Sequence, residues 1–469
     1  MPAGTGSRIK AFSAPGKVLL AGGYLVLDRD HNGLVFGLNA RVNVVVQGLE
    51  TSPGVQLNEI IVKSPQFMEA EWRYGYHLAG EDGGIQVTQL QVDKTLAQNK
   101  FVETTLSYVL TYLNRVSADT PSHAIPSTQI TILADNDYYS HGDGTTTVAE
   151  LNQNPHHPHH PHGSRLPHDG RFKAFASTLG GAHKTGLGSS AALVTSLVGA
   201  LLSFHLPKEK FDISIPGHRQ ILHNLAQAAH CAAQGKIGSG FDVAAAVYGS
   251  CLYKRFSSST IAQIPSPGNP GFGTSVYDTV TAGWDTEIKK GEGTGLRAGF
   301  VMRMADVDCG SSTVSMVKNV MMWRKEHPEA STQLWVSLQA ANDILGKAIE
   351  SDLYSESEVR AAFLNTRALL REMGDAAGVP IEPQSQKELL DAVSHKDGVL
   401  GGVVPGAGGY DAIALLVKDN EETKHNLEAF FEGWREDTGT NVKLLDVIGE
   451  VEGARLEDKL DQYRGWIYG

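Results

Sequence analysis

The chain has 469 residues, of which 41% are hydrophobic and 20% charged, a composition typical of a soluble globular protein with two to three domains of roughly 100–200 residues each. Its 40 basic and 52 acidic residues give a net charge of −12, which argues against nucleic acid or an anionic membrane as a partner. If the ligands are anionic, lysines and arginines must gather locally to receive them.

The cysteines and the N-terminus favour a cytoplasmic location. Cys231, Cys251 and Cys309 form no CxxC pair, and their odd number argues against a disulfide framework, as expected in a reducing compartment. The first 17 residues contain no apolar segment typical of a signal peptide. The longest apolar run, Ala191–Phe204, is too short to cross a bilayer.

The first part of the chain is predicted to form mainly strands and one helix. Short β-prone runs occupy the first 95 residues, and a further strand is predicted at Ser127–Leu133. Asn99–Arg115 has apolar residues at helical spacing. The next segment, about residues 134–171, is rich in His, Pro and Gly, with six histidines between His156 and His168. We interpret it as a surface loop insertion, with a zinc or copper site as the alternative.

The middle of the chain contains two predicted helices and a predicted boundary. Gly186–His205 is a glycine turn entering a helix, and Pro216–Gln234 is a second helix. Ser257–Gly273 is rich in Ser, Pro and Gly, and we place there the boundary between a domain of residues 1–256 and a domain of residues 257–469. The second domain alternates strands with helices, with helices predicted at about Thr313–Arg324, Ser331–Ser351, Glu356–Met373, Gln386–His395 and Glu421–Glu436, and strands at Ala412–Val417 and Asn441–Leu445.

The strongest chemical signal is the sequence KTGLGSSAA at Lys184–Ala192. Its glycines allow a tight turn and a close backbone approach to a ligand. The free N–H groups and the dipole of the following helix favour an anion, and Ser189 and Ser190 add hydroxyl groups. Leu187 stands where a Walker A loop needs lysine, so the phosphate site belongs to another class. A capped core helix is the alternative interpretation.

Two further motifs combine glycines with charged side chains. In SAPGKVLLAGG, Lys17 follows a Pro-Gly turn at the start of a β-prone run, where its ammonium group can face a phosphate. In QGKIGSGFD, Lys236 lies among glycines and Asp242 begins an apolar segment, where it can act as a base or a charge partner. The alternatives are a surface lysine and a helix-capping aspartate.

The second half of the chain carries two motifs of the same kind. Gly401–Asp411, with the sequence GGVVPGAGGYD, is a glycine-rich loop between β-prone runs and suits close approach by a phosphate or another substrate group. The sequence CGSSTVSMV from Cys309 opens a helix with consecutive hydroxyl groups, again favourable to an anion. A turn connector and simple capping by Ser311 or Ser312 are the alternatives.

In chain order these motifs resemble those of the GHMP kinase superfamily. Ala14–Lys17 is similar to its N-terminal motif, Thr185–Ala192 to its phosphate loop and Pro405–Gly409 to its C-terminal GAGG loop. Within the superfamily, Ala229–Ser250 and Val404–Ala412 resemble the fungal and plant phosphomevalonate kinases. The resemblance covers nearly the whole chain. It implies an α+β fold of two lobes, the first like ribosomal protein S5 domain 2 and the second ferredoxin-like.

The resemblance also implies roles for individual residues. Lys17 and Asp242 match the catalytic positions of the family. The phosphates of ATP are expected on Gly186, Leu187, Gly188, Ser189, Ser190 and Ala191, with Ser189 or Ser190 near Mg²⁺. The phosphate and carboxylate of the acceptor are expected on Lys10, Lys184, Lys236, Ser311, Ser312 and Thr313, and the substrate is also expected to contact Gly406, Ala407, Gly408 and Gly409.

One position departs from the pattern of mevalonate kinases. Those enzymes place a glutamate ligand of Mg²⁺ a few residues before the glycine that corresponds to Gly235, where this chain has His230 or a neighbour of it. No carboxylate occurs between Arg219 and Phe241. We therefore expect a Mg²⁺ shell with more water or phosphate oxygens.

The implied reaction is phosphoryl transfer from ATP to 5-phosphomevalonate. The alternatives within the fold are mevalonate, homoserine or a sugar as acceptor, or decarboxylation of diphosphomevalonate. A sugar is disfavoured because GKVLLAGGY stands where galactokinases carry a GRVNLIGEH-type motif. A non-enzymatic sensor is the alternative outside catalysis, and the presence of Lys17, Asp242 and an intact phosphate loop disfavours it.

Overall fold

The computed structural model describes residues 9–49, 59–90, 97–117, 126–140, 170–175, 177–291, 295–307 and 313–467. Its strands are β1 (Ile9–Ala21), β2 (Asn32–Gly48), β3 (Glu59–Lys63), β4 (Glu71–Leu78), β5 (Ile85–Gln89), β6 (Thr128–Ala134), β7 (Tyr139–Ser140), β8 (His183–Lys184), β9 (Cys251–Lys254), β10 (Glu287–Lys289), β11 (Phe300–Val307), β12 (Val399–Val403), β13 (Ala412–Lys418), β14 (Val442–Glu450) and β15 (Arg455–Glu457). Its helices are α1 (Lys100–Val116), α2 (Ser189–His205), α3 (Pro216–Gln234), α4 (Phe241–Tyr248), α5 (Ser259–Ala262), α6 (Phe272–Thr281), α7 (Thr313–Glu326), α8 (Pro328–Glu350), α9 (Glu356–Ala377), α10 (Gln384–Ser394), α11 (Glu421–Thr438) and α12 (Arg464–Ile467).

A large mixed sheet runs through both lobes. Among the described strands, its main order is β12-β13-β11-β14-β2-β6-β3-β4-β5, with β1 and β9 also paired to β2. β2 is buried along nearly its whole length, as expected for a Val-rich strand that is covered on both faces. The pairing of β1 with β2 shifts register between Pro15 and Gly16. Such an irregularity bends a strand and redirects its side chains, and here it lies directly before Lys17.

Helix α2 is the central helix of the first lobe. It packs against β1 and β2 and against α1, α3 and α4. Most of its residues are buried, which explains why its sequence is apolar on every side. Gly199 allows this close packing, since a Cβ atom there would lie 2.2 Å from the ring of Phe12 on β1. The position of α2, and with it the glycine loop that precedes it, is therefore fixed by the core.

The second lobe has the strand and helix order β-α-β-β-α-β of a ferredoxin-like fold. β11 leads through α7–α10 to the β12-β13 hairpin, and α11 leads to β14. The strands lie in the order β12-β13-β11-β14, and each neighbouring pair is antiparallel. A separate apolar core forms where α10 and α11 cover the sheet, for example at Leu390, Ile413 and Leu427.

The end of the chain returns to the first lobe. β14 pairs with β2 at Gly449 and Leu38, and β15 pairs with β1. α6 also belongs to this lobe, because it packs against α1 and α3, and β10 pairs with β9. The domain boundary at residue 256 stays a prediction. Because α6 and β10 pack on elements of the first lobe, the structure favours a boundary between β10 and β11.

Most predicted elements are confirmed within a few residues, and β4 and β5 fall in the part predicted to be mainly strands. The elements β7, β8, β10, β11, β15, α5, α6 and α12 lack a corresponding prediction. Cys231 and Cys251 are buried and form no disulfide. Cys309 and the histidine-rich stretch 156–168 lie outside the described residues. Within the described ranges, no helix is both long and apolar enough to cross a membrane.

Candidate active site

The glycine loop before α2 has the form expected of an anion-binding turn. Gly186 and Gly188 have φ values of 68° and 81°, in the left-handed region that glycine adopts without steric cost. Gly188 is the N-cap residue of α2, and no side chain caps the helix there. The first N–H groups of α2 are therefore available to an anion, and the helix dipole adds to the attraction.

The loop is held directly against β1. The backbone N–H of Lys17 donates to the carbonyl oxygen of Leu187 at 2.9 Å. Gly16 makes this approach possible, because a Cβ atom there would lie 3.0 Å from that oxygen and 2.9 Å from the hydroxyl of Tyr138. The PGK motif and the glycine loop, 169 residues apart in sequence, thus form one structural unit.

The side chain of Lys17 lies across the loop. Its Nζ is 3.4 Å from the carbonyl oxygen of Gly186 and 5.7 Å from the ring centre of Phe241. Burial lowers the pKa of the Lys17 ammonium group, and the charge of Asp242 opposes that effect. The side chain is therefore held in place at the start of α2, with the carboxylate of Asp242 favouring its charged form.

Asp242 lies in the first turn of α4. Its Oδ1 accepts a hydrogen bond from the N–H of Val243 at 3.0 Å, and its side chain is 23% exposed. The preceding loop is held by Tyr253, whose hydroxyl donates to the carbonyl oxygen of Ser239, and by Arg255, which donates to that of Gly238. The carboxylate thus has a fixed position and keeps one side open to a ligand.

His230 connects the two halves of the site. Its Nε2 lies 3.1 Å from Oγ of Ser190, and its Nδ1 lies 3.8 Å from Oδ2 of Asp242. The sequence identified this position only as one that lacks a carboxylate. The contacts join three segments that are distant in the chain, so no local pattern could predict them. The one signal in the sequence was a histidine where mevalonate kinases carry a glutamate.

The C-terminal glycine loop contacts the far end of β1. The N–H of Gly406 donates to the carbonyl oxygen of Leu19 at 3.0 Å, and the hydroxyl of Tyr24 donates to that of Ala407 at 2.7 Å. The N–H of Gly409 donates to the carbonyl oxygen of Ile381. The second lobe therefore brings its glycine loop to the strand that carries Lys17, where the loop contacts the end of the strand at Leu19.

A small apolar pocket opens beside the start of α2. Its volume is about 100 Å³, and its lining includes Phe67, Phe101 and Tyr139 as well as Ser189 and Ser190. Lys184 lies on the same pocket. This cavity had no counterpart in the sequence analysis, because its aromatic residues come from separate segments.

The remaining predicted ligands are less tightly grouped. Lys10 lies on β1, seven residues before Lys17 and thus roughly 23 Å away along an extended strand, and its contact with the acceptor stays a prediction. Lys236 is exposed just after α3. Ser311 and Ser312 lie outside the described residues, and Thr313 begins α7 with a side chain that is not described.

The side chains present fit a magnesium ion that arrives with a nucleotide. The hydroxyl of Ser190 and the carboxylate of Asp242 are oxygen ligands of the type that Mg²⁺ prefers. Within the described part of the chain, no group of three or more His, Cys, Asp and Glu side chains could hold a metal ion. An ion that keeps several waters and binds mainly to phosphate oxygens suits this donor set.

Comparison with known proteins gives a consistent result. Residues 174–250 match the family GHMP kinases N terminal domain. A phosphomevalonate kinase of Gibberella zeae is 54% identical over 459 residues, covering 97% of this chain and 98% of its own length. An Arabidopsis thaliana protein named phosphomevalonate kinase, peroxisomal, is 33% identical over 95% of both chains.

A solved structure confirms the fold. The phosphomevalonate kinase of Streptococcus pneumoniae, in complex with phosphomevalonate and AMPPNP, aligns with a TM-score of 0.57 over 95% of this chain and 99% of its own. At 14% identity this likeness concerns the fold alone, which is the two-lobe fold of GHMP kinases. With the full-length identity to the Gibberella protein, these findings show that the chain belongs to the phosphomevalonate kinase family of GHMP kinases.

Proposed function

We propose that this chain transfers the γ-phosphoryl group of ATP, in the presence of Mg²⁺, to (R)-5-phosphomevalonate. The products are ADP and (R)-5-diphosphomevalonate, an intermediate of the mevalonate route to isoprenoids and sterols. The observation that carries the proposal is the convergence of Lys17, the uncapped start of α2 and Asp242 in one site. The name of the Gibberella relative supports the same activity.

The acceptor determines what Asp242 must do. A phosphate monoester has a second pKa of about 6 and is mostly dianionic near neutral pH, so its oxygen can attack without losing a proton to the enzyme. An alcohol acceptor would need a base. We assign to Asp242 the role of orienting Lys17, since the carboxylate supports the charged form of that lysine.

Repulsion between two anionic substrates is then the main obstacle. Phosphoryl transfer depends chiefly on positioning and on stabilisation of charge. Lys17 and the first N–H groups of α2 supply fixed positive charge where the transferred group would lie. Mg²⁺, when bound, would neutralise further phosphate charge. Lys184 and Lys236 remain proposed ligands of the anionic substrates.

The apolar pocket beside Ser189 suits the base of the nucleotide. Aromatic side chains can stack on a purine, and the pocket opens at the helix start where the phosphates are expected. Replacing Phe101 with alanine would then raise KM for ATP and leave KM for the acceptor nearly unchanged. An equal rise in both constants would contradict this assignment.

The test of the proposed function is ADP release with Mg-ATP and phosphomevalonate, mevalonate, homoserine or galactose, measured side by side. We expect turnover with phosphomevalonate alone. Turnover with an alcohol alone would keep the fold but overturn the acceptor, and Asp242 would become a candidate base. A Lys17→Met variant is the control, since its residual rate reports any contaminating kinase.

The cytoplasm is the proposed location, because the buried Cys231 and Cys251 form no disulfide, as expected in a reducing compartment. The name of the Arabidopsis relative makes the peroxisome the competing location. Fluorescence microscopy of the full chain carrying a tag at either end separates the two. Coincidence with a peroxisomal marker would overturn the proposal.

A further inference from the structure

The ring of His230 lies between the phosphate loop and the carboxylate that faces Lys17. The residue belongs to the second half of α3 and is only 2% exposed. One ring nitrogen, Nε2, is 3.1 Å from Oγ of Ser190, and the other, Nδ1, is 3.8 Å from Oδ2 of Asp242. A single buried side chain therefore lies beside both a hydroxyl group at the start of α2 and a carboxylate at the start of α4.

The neighbouring hydrogen bonds fix the position of the ring proton. The side-chain amide nitrogen of Gln234 is 3.1 Å from Nε2 of His230. An amide nitrogen donates hydrogen bonds and accepts none, so with Gln234 in this orientation Nε2 is the acceptor and the ring proton is assigned to Nδ1. That proton faces Asp242, at a distance too long for a hydrogen bond but short enough for electrostatic attraction. The hydroxyl of Ser190, also 3.1 Å from Nε2, donates its proton to the same lone pair and shares it with the Gln234 amide.

We propose that His230 is a positioning residue that orients Ser190 for the nucleotide and holds Asp242 beside Lys17. When Ser190 donates its proton to His230, its oxygen lone pairs are directed away from the ring, where they would be available to Mg²⁺ when it is bound with the nucleotide. His230 itself touches no reacting atom. The inference rests on the proposed kinase function, because it takes the loop before α2 as the site of the nucleotide phosphates.

His223, a second buried histidine on α3, serves as a comparison because it contacts none of the site residues described above. His223 lies in the core with Nδ1 next to Asn224, and burial lowers its pKa to about 4. Its Nε2 has no hydrogen-bond partner among the described residues. His230, in contrast, uses both nitrogens toward side chains of the site, and Phe101 packs on its ring with a centre distance of 5.7 Å.

Two conservative substitutions separate the two contacts of His230. The amide of an asparagine lies near the place of Nδ1, whereas the amide of a glutamine reaches the place of Nε2. His230→Asn therefore loses the acceptor for Ser190, and His230→Gln keeps it. Isothermal titration calorimetry should show that ADP with Mg²⁺ binds about tenfold more weakly to His230→Asn, the effect of one lost hydrogen bond. For His230→Gln we expect an affinity within about threefold of that of the unaltered chain.

A double-mutant cycle tests whether His230 acts through Ser190. Ser190→Ala alone is expected to weaken ADP binding about tenfold, and adding His230→Asn should cause little further loss, because coupled residues are not additive. Additive losses of about a hundredfold would overturn the proposal. If His230→Asn fails to fold, the cycle with His230→Gln decides, since Ser190→Ala must still cost about tenfold in that background.

The matched control is His223→Asn, which should lower the melting temperature and leave ADP affinity within about twofold. A loss of ADP affinity equal to that of His230→Asn would overturn the proposal, since any disturbance of α3 would then have the same effect. Failure of the unaltered chain to bind ADP would refute the proposed function instead, so the two failures are distinguishable.

Discussion

Replacing Gly188 with alanine should displace Lys17, and Gly186 provides a matched control. Both glycines have positive φ values, 81° and 68°, so alanine costs about 1–2 kcal/mol of backbone strain at either position. They differ in their surroundings. A Cβ atom on Gly188 would lie 2.8 Å from Cε and 2.9 Å from Cγ of Lys17, whereas nothing lies within 4 Å of one on Gly186.

The difference in space sets the expected size of the effect. Carbon atoms in contact are normally about 3.5–4.0 Å apart, so Lys17 must move by on the order of 1 Å in Gly188→Ala. A misplacement of that size can reduce the rate about a hundredfold, equivalent to about 2.7 kcal/mol in the barrier. Gly186→Ala should share the loss of stability without this displacement.

Initial rates with ATP and phosphomevalonate, together with melting temperatures, test this expectation. Similar melting temperatures and a kcat/KM roughly a hundredfold lower in Gly188→Ala than in Gly186→Ala would support it. Equal losses of kcat/KM in both variants would refute the reasoning, because strain in the loop rather than the position of Lys17 would then limit the rate.

Three further predictions concern other parts of the site and its support. Burial lowers the pKa of Lys17, and the charge of Asp242 raises it. Asp242→Asn should therefore lower the pKa of Lys17 further and move the alkaline fall of kcat/KM to lower pH. An alkaline fall at the same or a higher pH would contradict this. Arg367→Ala should destabilise the fold by about 3 kcal/mol, because it leaves the buried carboxylate of Glu382 with one arginine fewer, and an unchanged melting temperature would argue against it. In Gly408→Ala the new Cβ atom would lie 2.2 Å from the carbonyl oxygen of Ile381, at a φ of 83°, so the C-terminal glycine loop must shift. Because that loop is expected to contact the acceptor, KM for the acceptor should rise more than KM for ATP. A larger rise in KM for ATP would contradict the assignment of the loop to the acceptor.

The sequence predicted the fold well wherever periodicity was strong. The apolar helix after the glycine loop and the amphipathic helices of the second lobe appear within a few residues of their predicted limits, for example α9 at Glu356–Ala377. β4 at Glu71–Leu78 was covered only by the general prediction of strands in the first 95 residues, although Trp72, Tyr74 and Tyr76 alternate with polar residues as in a half-buried strand. α6 at Phe272–Thr281 escaped prediction because it begins at the end of a Ser/Pro/Gly-rich segment that resembles a linker.

The candidate site was predicted only in part, for a physical reason. Lys17, the glycine loop and Asp242 lie in motifs with local signals, such as glycines and a turn, and the structure brings them together. The contacts of His230 depend on how α2, α3 and α4 pack, which no local pattern encodes. The role of Lys10 stays a prediction, since it lies well before Lys17 along the extended strand β1.

Phosphorus NMR of the products most directly tests transfer to a phosphate acceptor. With Mg-ATP and phosphomevalonate, we expect the monoester signal to be replaced by the coupled signals of a diphosphate, with one ADP formed for each acceptor consumed. Inorganic phosphate without a new P–O–P linkage, or a second monoester signal from phosphorylation of an alcohol, would contradict it.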